Sequence, residues 1–341
     1  DGPASDGGTK KNRPTGTFPR VSRPAMTQER WTVPENLGGE RLDKAIAALC
    51  EGASRSRVKK AVEAGAVRIN GRRAPKGATV APGDEITVAD FPLIIDGDPA
   101  VPEPDQPLDV RYETKDVLIV EKPAKMPCHP LNPGETGTLA NVLVGKYPEL
   151  AGIGYNAREP GLVHRIDGDT SGLVVVARTA AAFETLRTAL KEHQLKKKYL
   201  LICPSENLPD SGTIEFPLAN HPKDKRRVYA CIHPRDVARN DPRPATTHFK
   251  VLERTVAKNG FEWALVEAEA PFALRHQIRA HFAALGHPLA GDELYGGAAV
   301  PGLERHALHA SFVGHNAAPA FAIASPLPAD LAAILKTDDG E

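Results

Sequence analysis

The sequence predicts a mixed α+β fold for most of the chain, preceded by a separate small α+β unit. From about Val110 to Leu335, strand-like apolar segments and amphipathic helical segments follow one another irregularly, without a glycine-rich phosphate loop or a dinucleotide fingerprint. A doubly wound sheet would show regular alternation of strands and helices. The small unit, residues 37–90, combines two helical patterns with short strand patterns.

Each element of the small unit has a local signal. The stretch "ERLDKAIAALC" places its leucines and isoleucine on one helical face. In "SRSRVKKAVEAG" a serine can cap a second helix and Gly65 can end it. "AVRINGRR" alternates into an Asn70-Gly71 turn, which is typical of a β-hairpin, and "APGDEITV" predicts a further turn and strand. We therefore expect two short helices packed on a small sheet.

The large unit, residues 109–336, carries stronger signals. The segments "DVLIVEKPA", "GLVVVAR", "KKKYLLIC" and "FEWALVEAEA" predict strands, and the second is too apolar for a surface strand. "TAAAFETLRTALKEH" and "RHQIRAHFAALG" predict helices with one apolar face.

The remaining segments are polar. Residues 1–36 contain few large apolar side chains, so we expect a disordered, mildly basic tail. Residues 91–108 are acidic and rich in proline, which predicts a stiff linker. Residues 337–341 form a second short tail.

Composition excludes several classes of protein. The 341 residues have a formal net charge of zero, so the charge of the whole chain gives no argument for nucleic-acid binding and must be considered locally. Four widely spaced cysteines without a C-x-x-C pair indicate reduced thiols rather than disulfides or zinc. No apolar run approaches the roughly 20 residues of a membrane span, and no signal peptide pattern begins the chain. We expect a soluble, cytoplasmic protein that contacts no membrane.

Charge is concentrated in the small unit. Between Ser54 and Lys76, eight cationic residues stand against one anion, Glu63. The cations are Arg55, Arg57, Lys59, Lys60, Arg68, Arg72, Arg73 and Lys76. A solvated basic face is the simpler interpretation, but this excess on a compact unit favours a surface that binds phosphates.

One loop is a candidate catalytic site. In "GLVHRIDGDTSGLVVVAR", Asp167 shortly precedes an apolar strand, with Gly168 after it and a Thr-Ser-Gly turn beyond. A loop fixed to a buried strand can hold a side chain rigidly at a cleft. On spacing alone, the simpler interpretation is that Asp167 and Asp169 only cap and turn the backbone.

Two further stretches add possible partners for Asp167. "KKKYLLIC" puts Tyr199 in a strand behind three lysines, and "RHQIRAHFAALG" puts Arg275 and Arg279 four residues apart on a predicted helix. An aspartate, an aromatic ring and a partly buried arginine can together form a pocket for a flipped nucleobase.

These stretches together resemble a known family. "PGLVHRIDGDTSGLVVVAR", "KKYLLI", "HQIRAHFAALGHPLAGDELYG" and "RHALHASFVGH" are similar to pseudouridine synthases of the large-ribosomal-subunit type. "RLDKAIAAL", "SRSRVKKAVEAGAVRING" and "VAPGDEI" resemble the small RNA-binding domain named after ribosomal protein S-four. The resemblance implies a mainly antiparallel catalytic sheet with flanking helices around a central RNA-binding cleft.

The resemblance also implies residue roles. Asp167 falls on the family's catalytic aspartate, Tyr199 on its tyrosine and Arg279 on its arginine. RNA contacts are implied for the basic face and for residues near the site. These are Arg55, Arg57, Lys59, Lys60, Arg72, Arg73, His164, Arg165, Lys197, Arg275 and His276.

The implied reaction breaks the uridine glycosidic bond, turns the uracil and rejoins it through carbon 5. It needs no cofactor and no metal. The expected partner is RNA, with ribosomal RNA favoured over transfer RNA, and the expected state is a monomer.

The sequence departs from the family pattern at three places. Gly168 stands where a basic residue is usual, Ala273-Leu274-Arg275 where Gly-Arg-Thr is usual, and Lys125 where glycine is usual. None of these changes removes a catalytic group.

The alternatives are a non-catalytic RNA-binding factor for ribosome assembly, a glycosidase and a metalloenzyme. A glycosidase is disfavoured because Asp167 and Asp169 share one short loop. A metalloenzyme is disfavoured because His276 and His281 would face different sides of a helix. The presence of Asp167, Tyr199 and Arg279 favours the enzyme over the binding factor.

Overall fold

The computed structural model describes residues 29–50, 53, 55–89, 99–256, 260–271 and 273–336. The chain divides into two compact units, residues 1–95 and 96–341. Residues 1–28 and 337–341 of the predicted tails lie outside the described residues, as do residues 91–98 of the predicted linker.

The small unit has two helices and a four-stranded antiparallel sheet, as the sequence predicts. The elements are β1 (Glu29–Thr32), α1 (Leu42–Leu49), α2 (Arg55–Ala64), β2 (Val67–Ile69), β3 (Arg72–Arg73) and β4 (Glu85–Val88). The strand order is β1-β4-β2-β3. Asn70 and Gly71 have φ values of 50° and 75°, as a two-residue hairpin turn between β2 and β3 requires.

The prediction of a disordered tail over residues 1–36 is wrong for its last part. Glu29–Thr32 pairs with β4, Val33 is buried, and Trp31 packs against the same core. The strand is short and carries one large apolar side chain, so its sequence gives little sign of the burial that orders it.

A nine-stranded sheet forms the centre of the large unit. Its strands are β5 (Asp109–Glu113), β6 (Val117–Lys122), β7 (Ser171–Ala177), β8 (Lys196–Pro204), β9 (Ser211–Ile214), β12 (Thr247–Val256), β13 (Glu262–Glu269), β14 (Leu308–His315) and β15 (Phe321–Ala324). The order is β5-β6-β7-β14-β8-β13-β12-β9, with β15 on β14. A separate hairpin joins β10 (Leu218–Asn220) to β11 (Val228–Ala230).

The helices of this unit are α3 (Leu139–Lys146), α4 (Ala180–Lys191), α5 (Pro234–Asn240), α6 (Gln277–Ala284) and α7 (Ala329–Ala332). Among the described residues, the neighbouring strands of the sheet run antiparallel except for β7 and β14. The predicted mixed α+β fold with a mainly antiparallel sheet is confirmed. None of the helices that the structure describes has the length and apolar character needed to cross a bilayer.

Side-chain alternation gives the sheet two buried faces. In β6, Leu118 and Val120 pack into the core with α3 and α6, whereas Val117 and Ile119 pack with α4 on the other side. All seven residues of β7 are buried, which explains its continuous apolar sequence. The loop that precedes β7 is therefore attached to a fully buried strand.

The linker prediction is wrong for residues 99–108, which pack on the large unit. Ala100 is buried. The Asn141 side-chain amide donates a hydrogen bond to Val101 O at 2.8 Å, and Glu103 N–H donates to Asn141 O at 2.9 Å. These contacts are made largely through backbone groups, so the acidic, proline-rich composition does not reveal them.

Candidate active site

Asp167 lies in a tight loop, residues 166–170, immediately before β7. Thr170 N–H donates to Asp167 O at 3.1 Å and closes the turn. The Asp167 side chain is 21% exposed and lines a pocket with Tyr199, Arg279 and Leu308. A buried strand thus carries the carboxylate to a cleft, as the sequence predicts.

The ammonium of Lys122 anchors this loop by hydrogen bonds to backbone carbonyls. Lys122 is fully buried at the end of β6, and its ammonium donates to Pro123 O at 2.7 Å, Met126 O at 2.7 Å and Gly168 O at 2.9 Å. Burial lowers its pKa to about 8. The residue following Asp167 is therefore fixed by a hydrogen bond from a distant strand.

The segment "RHALH" holds the other end of the loop. His306 shares a 2.7 Å hydrogen bond with the Thr170 hydroxyl, and His309 shares one of 2.9 Å with Ser171. Burial lowers the pKa of His306 to about 4, so its ring is neutral at physiological pH. Arg305 donates to the carbonyl of Leu308 at 3.0 Å and fixes the segment itself.

Gly172 allows β7 and β14 to approach closely. Its φ is 119°, and a Cβ placed on it would lie 2.3 Å from Ala310 O. The parallel pairing of these strands is confined to Ser171–His309 and Gly172–Ala310. The glycine of the Thr-Ser-Gly turn is thus required where the Asp167 loop meets the sheet.

Arg279, in α6, connects Asp167 to a second carboxylate. Its Nε and Nη2 donate to the two oxygens of Asp292 at 2.7 and 2.8 Å, and its Nη1 donates to Asp167 Oδ2 at 3.1 Å. Burial opposes the charge of Arg279, but the hydrogen bonds and negative charge of Asp292, with that of Asp167, raise its pKa. The bidentate pair leaves one guanidinium nitrogen aimed at Asp167.

Tyr199 forms another wall of the pocket. It lies in β8 between Ala268 of β13 and Ala310 of β14 and is 5% exposed. Burial, with the negative charge of Asp167, raises its pKa. The tyrosine therefore presents a neutral phenol and an aromatic ring beside the carboxylate.

Tyr295 and His276 complete the surroundings of Arg279. The guanidinium carbon lies 5.1 Å from the centre of the Tyr295 ring, within the range of a cation–π contact. The Tyr295 hydroxyl donates to Val228 O at 3.2 Å and contacts His276 Nδ1 at 3.1 Å. His276 Nε2 lies 3.7 Å from Asp167 Oδ2, and burial lowers the pKa of His276.

Comparisons with known proteins show the family of the chain. The sequence matches the profile of the RNA pseudouridylate synthase family over residues 116–284 and that of the S4 domain over residues 40–86. It is 34% identical to the uncharacterized RNA pseudouridine synthase YlyB of Bacillus subtilis (strain 168), over 91% of this chain and 98% of that protein. The chain belongs to the RNA pseudouridine synthase family.

Other relatives carry a more specific name. The synthase is 33% identical to ribosomal large subunit pseudouridine synthase D of Yersinia pestis, over 83% of this chain and 85% of that one. It is 34% identical to the protein of the same name from Xylella fastidiosa, over 89% and 90%. The structure of human RNA Pseudouridylate Synthase Domain Containing 1 matches with a TM-score of 0.52 and 25% identity, covering 66% of this chain and 86% of that chain. The predicted family and the isomerase class are confirmed.

The structure brings the three predicted catalytic residues of the synthase into one pocket. Asp167, Tyr199 and Arg279 line it together with three of the predicted RNA contacts, Arg165, Arg275 and His276. The three predicted catalytic residues come from a loop, a strand and a helix that lie far apart in sequence. His164 and Lys197, two further predicted RNA contacts, line a neighbouring pocket.

The prediction that Arg275 and Arg279 share a helical face is wrong. Helix α6 begins at Gln277, and His276 has a left-handed backbone with φ of 54°, so the helical spacing does not extend back to Arg275. Arg275 is exposed and donates to Lys225 O at 3.0 Å and Arg227 O at 3.1 Å. It holds the basic tip of the β10–β11 hairpin and also lines the Asp167 pocket.

Lys197 is more buried than its place in a run of three lysines suggests. The predicted phosphate contact is 5% exposed, whereas its neighbour Lys196 is exposed. Alternation along β8 turns Lys197 inward with Tyr199.

The cationic residues of the small unit surround a buried acid. Asp43, at 6% side-chain exposure, accepts from Arg41 at 2.9 Å and from Arg55 at 2.9 Å, with Lys59 3.9 Å away. Arg72 and Arg73 are exposed along β3. The side chains of Arg57 and Lys60 lie outside the described residues.

Two departures from the family pattern have structural consequences. A Cβ at Gly168 would meet only Pro127 N, at 4.0 Å, so the position has room for a side chain and Lys122 supplies rigidity. Lys125 has a φ of 63°, a conformation that favours the usual glycine. Lys125 also forms an ion pair with Glu304.

Sequence reasoning missed the residues that position the site. Asp292, Lys122, His306 and Tyr295 were not assigned roles, although Asp292, His306 and Tyr295 lie in stretches that carry the resemblance and Lys122 ends a predicted strand. Asp292 and Tyr295 stand in "GDELYG". An acidic residue shortly after a predicted helix that carries an arginine was the signal in the sequence for this ion pair.

Proposed function

We propose that this synthase converts uridine to pseudouridine in large-subunit ribosomal RNA, with Asp167 as its catalytic carboxylate. One observation carries the proposal. Asp167 accepts a hydrogen bond from the buried guanidinium of Arg279 and lines the same pocket as the ring of Tyr199. A fixed carboxylate beside an aromatic wall suits a base held outside its helix.

The proposed reaction keeps every atom of the uracil. The bond from N1 to the ribose breaks, the base turns, and a bond from C5 to the same ribose carbon forms. N1 gains a proton and C5 loses one. Asp167 acts on the sugar as nucleophile or base, Arg279 orients it, and Tyr199 stacks on the base, a contact worth about 1–3 kcal/mol.

The small unit would supply further RNA affinity. Asp43 holds Arg41, Arg55 and Lys59 close together while about half of each cationic side chain stays exposed. Arg72 and Arg73 extend the positive charge along β3, and Arg57 and Lys60 are proposed to join this surface. Such contacts neutralise backbone phosphates without reading sequence.

The choice of ribosomal RNA rests on the names of relatives that match most of the chain. Transfer RNA is the alternative substrate. We also propose that the enzyme acts as a monomer in the cytoplasm, which gel filtration of the purified protein and cell fractionation would test.

Pseudouridine mapping tests the substrate. Ribosomal and transfer RNA from cells lacking the protein would be labelled chemically and read by primer extension, after adding back wild type or Asp167→Asn. Loss of specific ribosomal sites, restored only by wild type, is the expected result. Loss confined to transfer RNA would replace the substrate, and no loss in either pool would favour a non-catalytic RNA-binding factor.

A further inference from the structure

A second pocket adjoins the Asp167 site. Its lining includes Tyr155, Glu159, His164, Arg165 and Lys197, and its volume is about 290 Å³. A water molecule occupies about 30 Å³ in the liquid, so the pocket accepts a larger group. The reaction on uridine makes no use of this space.

Lys197 lies in the pocket wall with an unsatisfied charge. It is 5% exposed, and burial alone accounts for its shifted pKa, because no neighbouring acid or hydrogen bond among the described residues contributes. That pKa is lowered to about 8, so the ammonium is mostly charged at neutral pH. Lys197 Nζ is not among the enclosed atoms without a partner, so the ammonium reaches the pocket, and an anion bound there would supply its counter-charge.

His164 lies beside Lys197 in the lining. Val175 N–H donates to its Nε2 at 3.1 Å, and burial lowers its pKa to about 3. The ring is therefore neutral and carries its proton on Nδ1. That nitrogen is enclosed by protein near the backbone of Arg165, so His164 supplies no counter-charge to Lys197.

The charged groups around the pocket favour an anion. Arg165 is exposed at its edge. Glu159 is the acidic residue of the lining, and it lies 3.3 Å from His129 Nε2, whose pKa burial lowers. Lys197 and Arg165 together outweigh Glu159, so the lining carries a net positive charge.

We propose that the Lys197 pocket binds a phosphate of the RNA strand next to the target uridine. Arg165 and Ala273 line both this pocket and the Asp167 pocket, so the two pockets adjoin. A nucleotide bound in the Asp167 pocket therefore places the adjacent RNA backbone at the Lys197 pocket. The proposal rests on the proposed function. Lys197 binds RNA through one buried phosphate contact rather than through an exposed basic run.

The test combines Lys197→Met with neutral phosphates. The full chain would bind an RNA stem-loop carrying the mapped uridine, and copies in which one phosphate near it is a methylphosphonate. A charge-assisted contact is worth about 1.5–3 kcal/mol, so Lys197→Met should weaken binding about tenfold to a hundredfold. One methylphosphonate should weaken wild-type binding similarly and leave Lys197→Met unaffected.

Controls separate this contact from general effects. Lys196→Met removes an exposed charge from the same strand and should change binding little at every phosphate. Lys197→Met should melt no lower than wild type, since it removes a buried charge. Lys197→Met and each methylphosphonate could instead weaken binding independently, so that their fold-decreases in affinity multiply at every position. In that case Lys197 touches no phosphate, and water hydrates its ammonium. Absence of product from the unmodified RNA would instead refute the proposed substrate.

Discussion

The contact between Arg279 and Asp292 gives the most demanding stability prediction. Asp292 has 1% side-chain exposure and Arg279 has 7%, and both carboxylate oxygens accept hydrogen bonds from the guanidinium. Asp292→Asn keeps the size of the side chain and removes its charge. Arg279 would remain buried with Asp167 as its nearest acid.

The structure sets the size of the effect. Breaking a buried ion pair by changing one partner costs about 3–5 kcal/mol. Asp167 stays 3.1 Å from Nη1 and asparagine keeps one acceptor, so we expect the lower end, about 3 kcal/mol. The freed guanidinium can turn towards Asp167, and a misplacement of about 1 Å costs about 100-fold in rate.

Two assays measure these effects. Urea unfolding would be followed by tryptophan fluorescence in a Trp31→Phe background, which leaves Trp263 of the large unit as the probe. Single-turnover conversion of a uridine-containing RNA would give the rate. The matched control is Asp210→Asn, an acid paired with Arg254 but 91% exposed, which should change neither result. Wild-type stability and rate for Asp292→Asn would refute the reasoning.

Three further changes test the loop and the buried lysine. Thr170→Val leaves the buried His306 ring without its 2.7 Å partner and should cost about 1–3 kcal/mol in urea unfolding. Gly172→Ala places a Cβ 2.3 Å from Ala310 O at a φ of 119° and should lower the melting temperature markedly. Burial lowers the pKa of Lys197 from 10.5 to about 8. The unfolded chain therefore binds more protons between those values, and the free energy of unfolding should rise with pH there. Lys197→Met should reduce this rise.

Matched variants control these three predictions. Thr185→Val removes a hydroxyl that bonds an exposed helix carbonyl, and it should leave stability nearly unchanged. Gly134→Ala also changes a glycine with positive φ, here 75°, but with open space around it, so it tests backbone strain without the clash found at Gly172. Lys196→Met should keep the full rise with pH. Equal effects of variant and control in any pair would contradict the corresponding reasoning.

Local sequence signals predicted much of the fold. The Asn70-Gly71 turn, the continuous apolar run of β7 and the periodicity of α4 each reflect constraints between near neighbours. Those constraints act before tertiary packing, so they are visible in the sequence. The loop of Asp167 was predictable for the same reason, because its turn and its strand are contiguous.

Contacts between distant segments were not predictable in the same way. Thr170 and His306 are 136 residues apart, and Lys122 reaches Gly168 across 46. The inward turn of Lys197 depends on which face of β8 is buried, which strand pairing decides. The four-residue spacing placed Arg275 and Arg279 on one helix, but the left-handed backbone of His276 leaves Arg275 outside α6.

The most direct test of the central claim measures product and affinity together. Purified wild type and Asp167→Asn would be incubated with the ribosomal RNA fragment identified by mapping, with pseudouridine quantified by mass spectrometry and binding by filter retention. The account predicts that Asp167→Asn binds RNA about as tightly as wild type and forms no pseudouridine. Product at the wild-type rate from Asp167→Asn would contradict it.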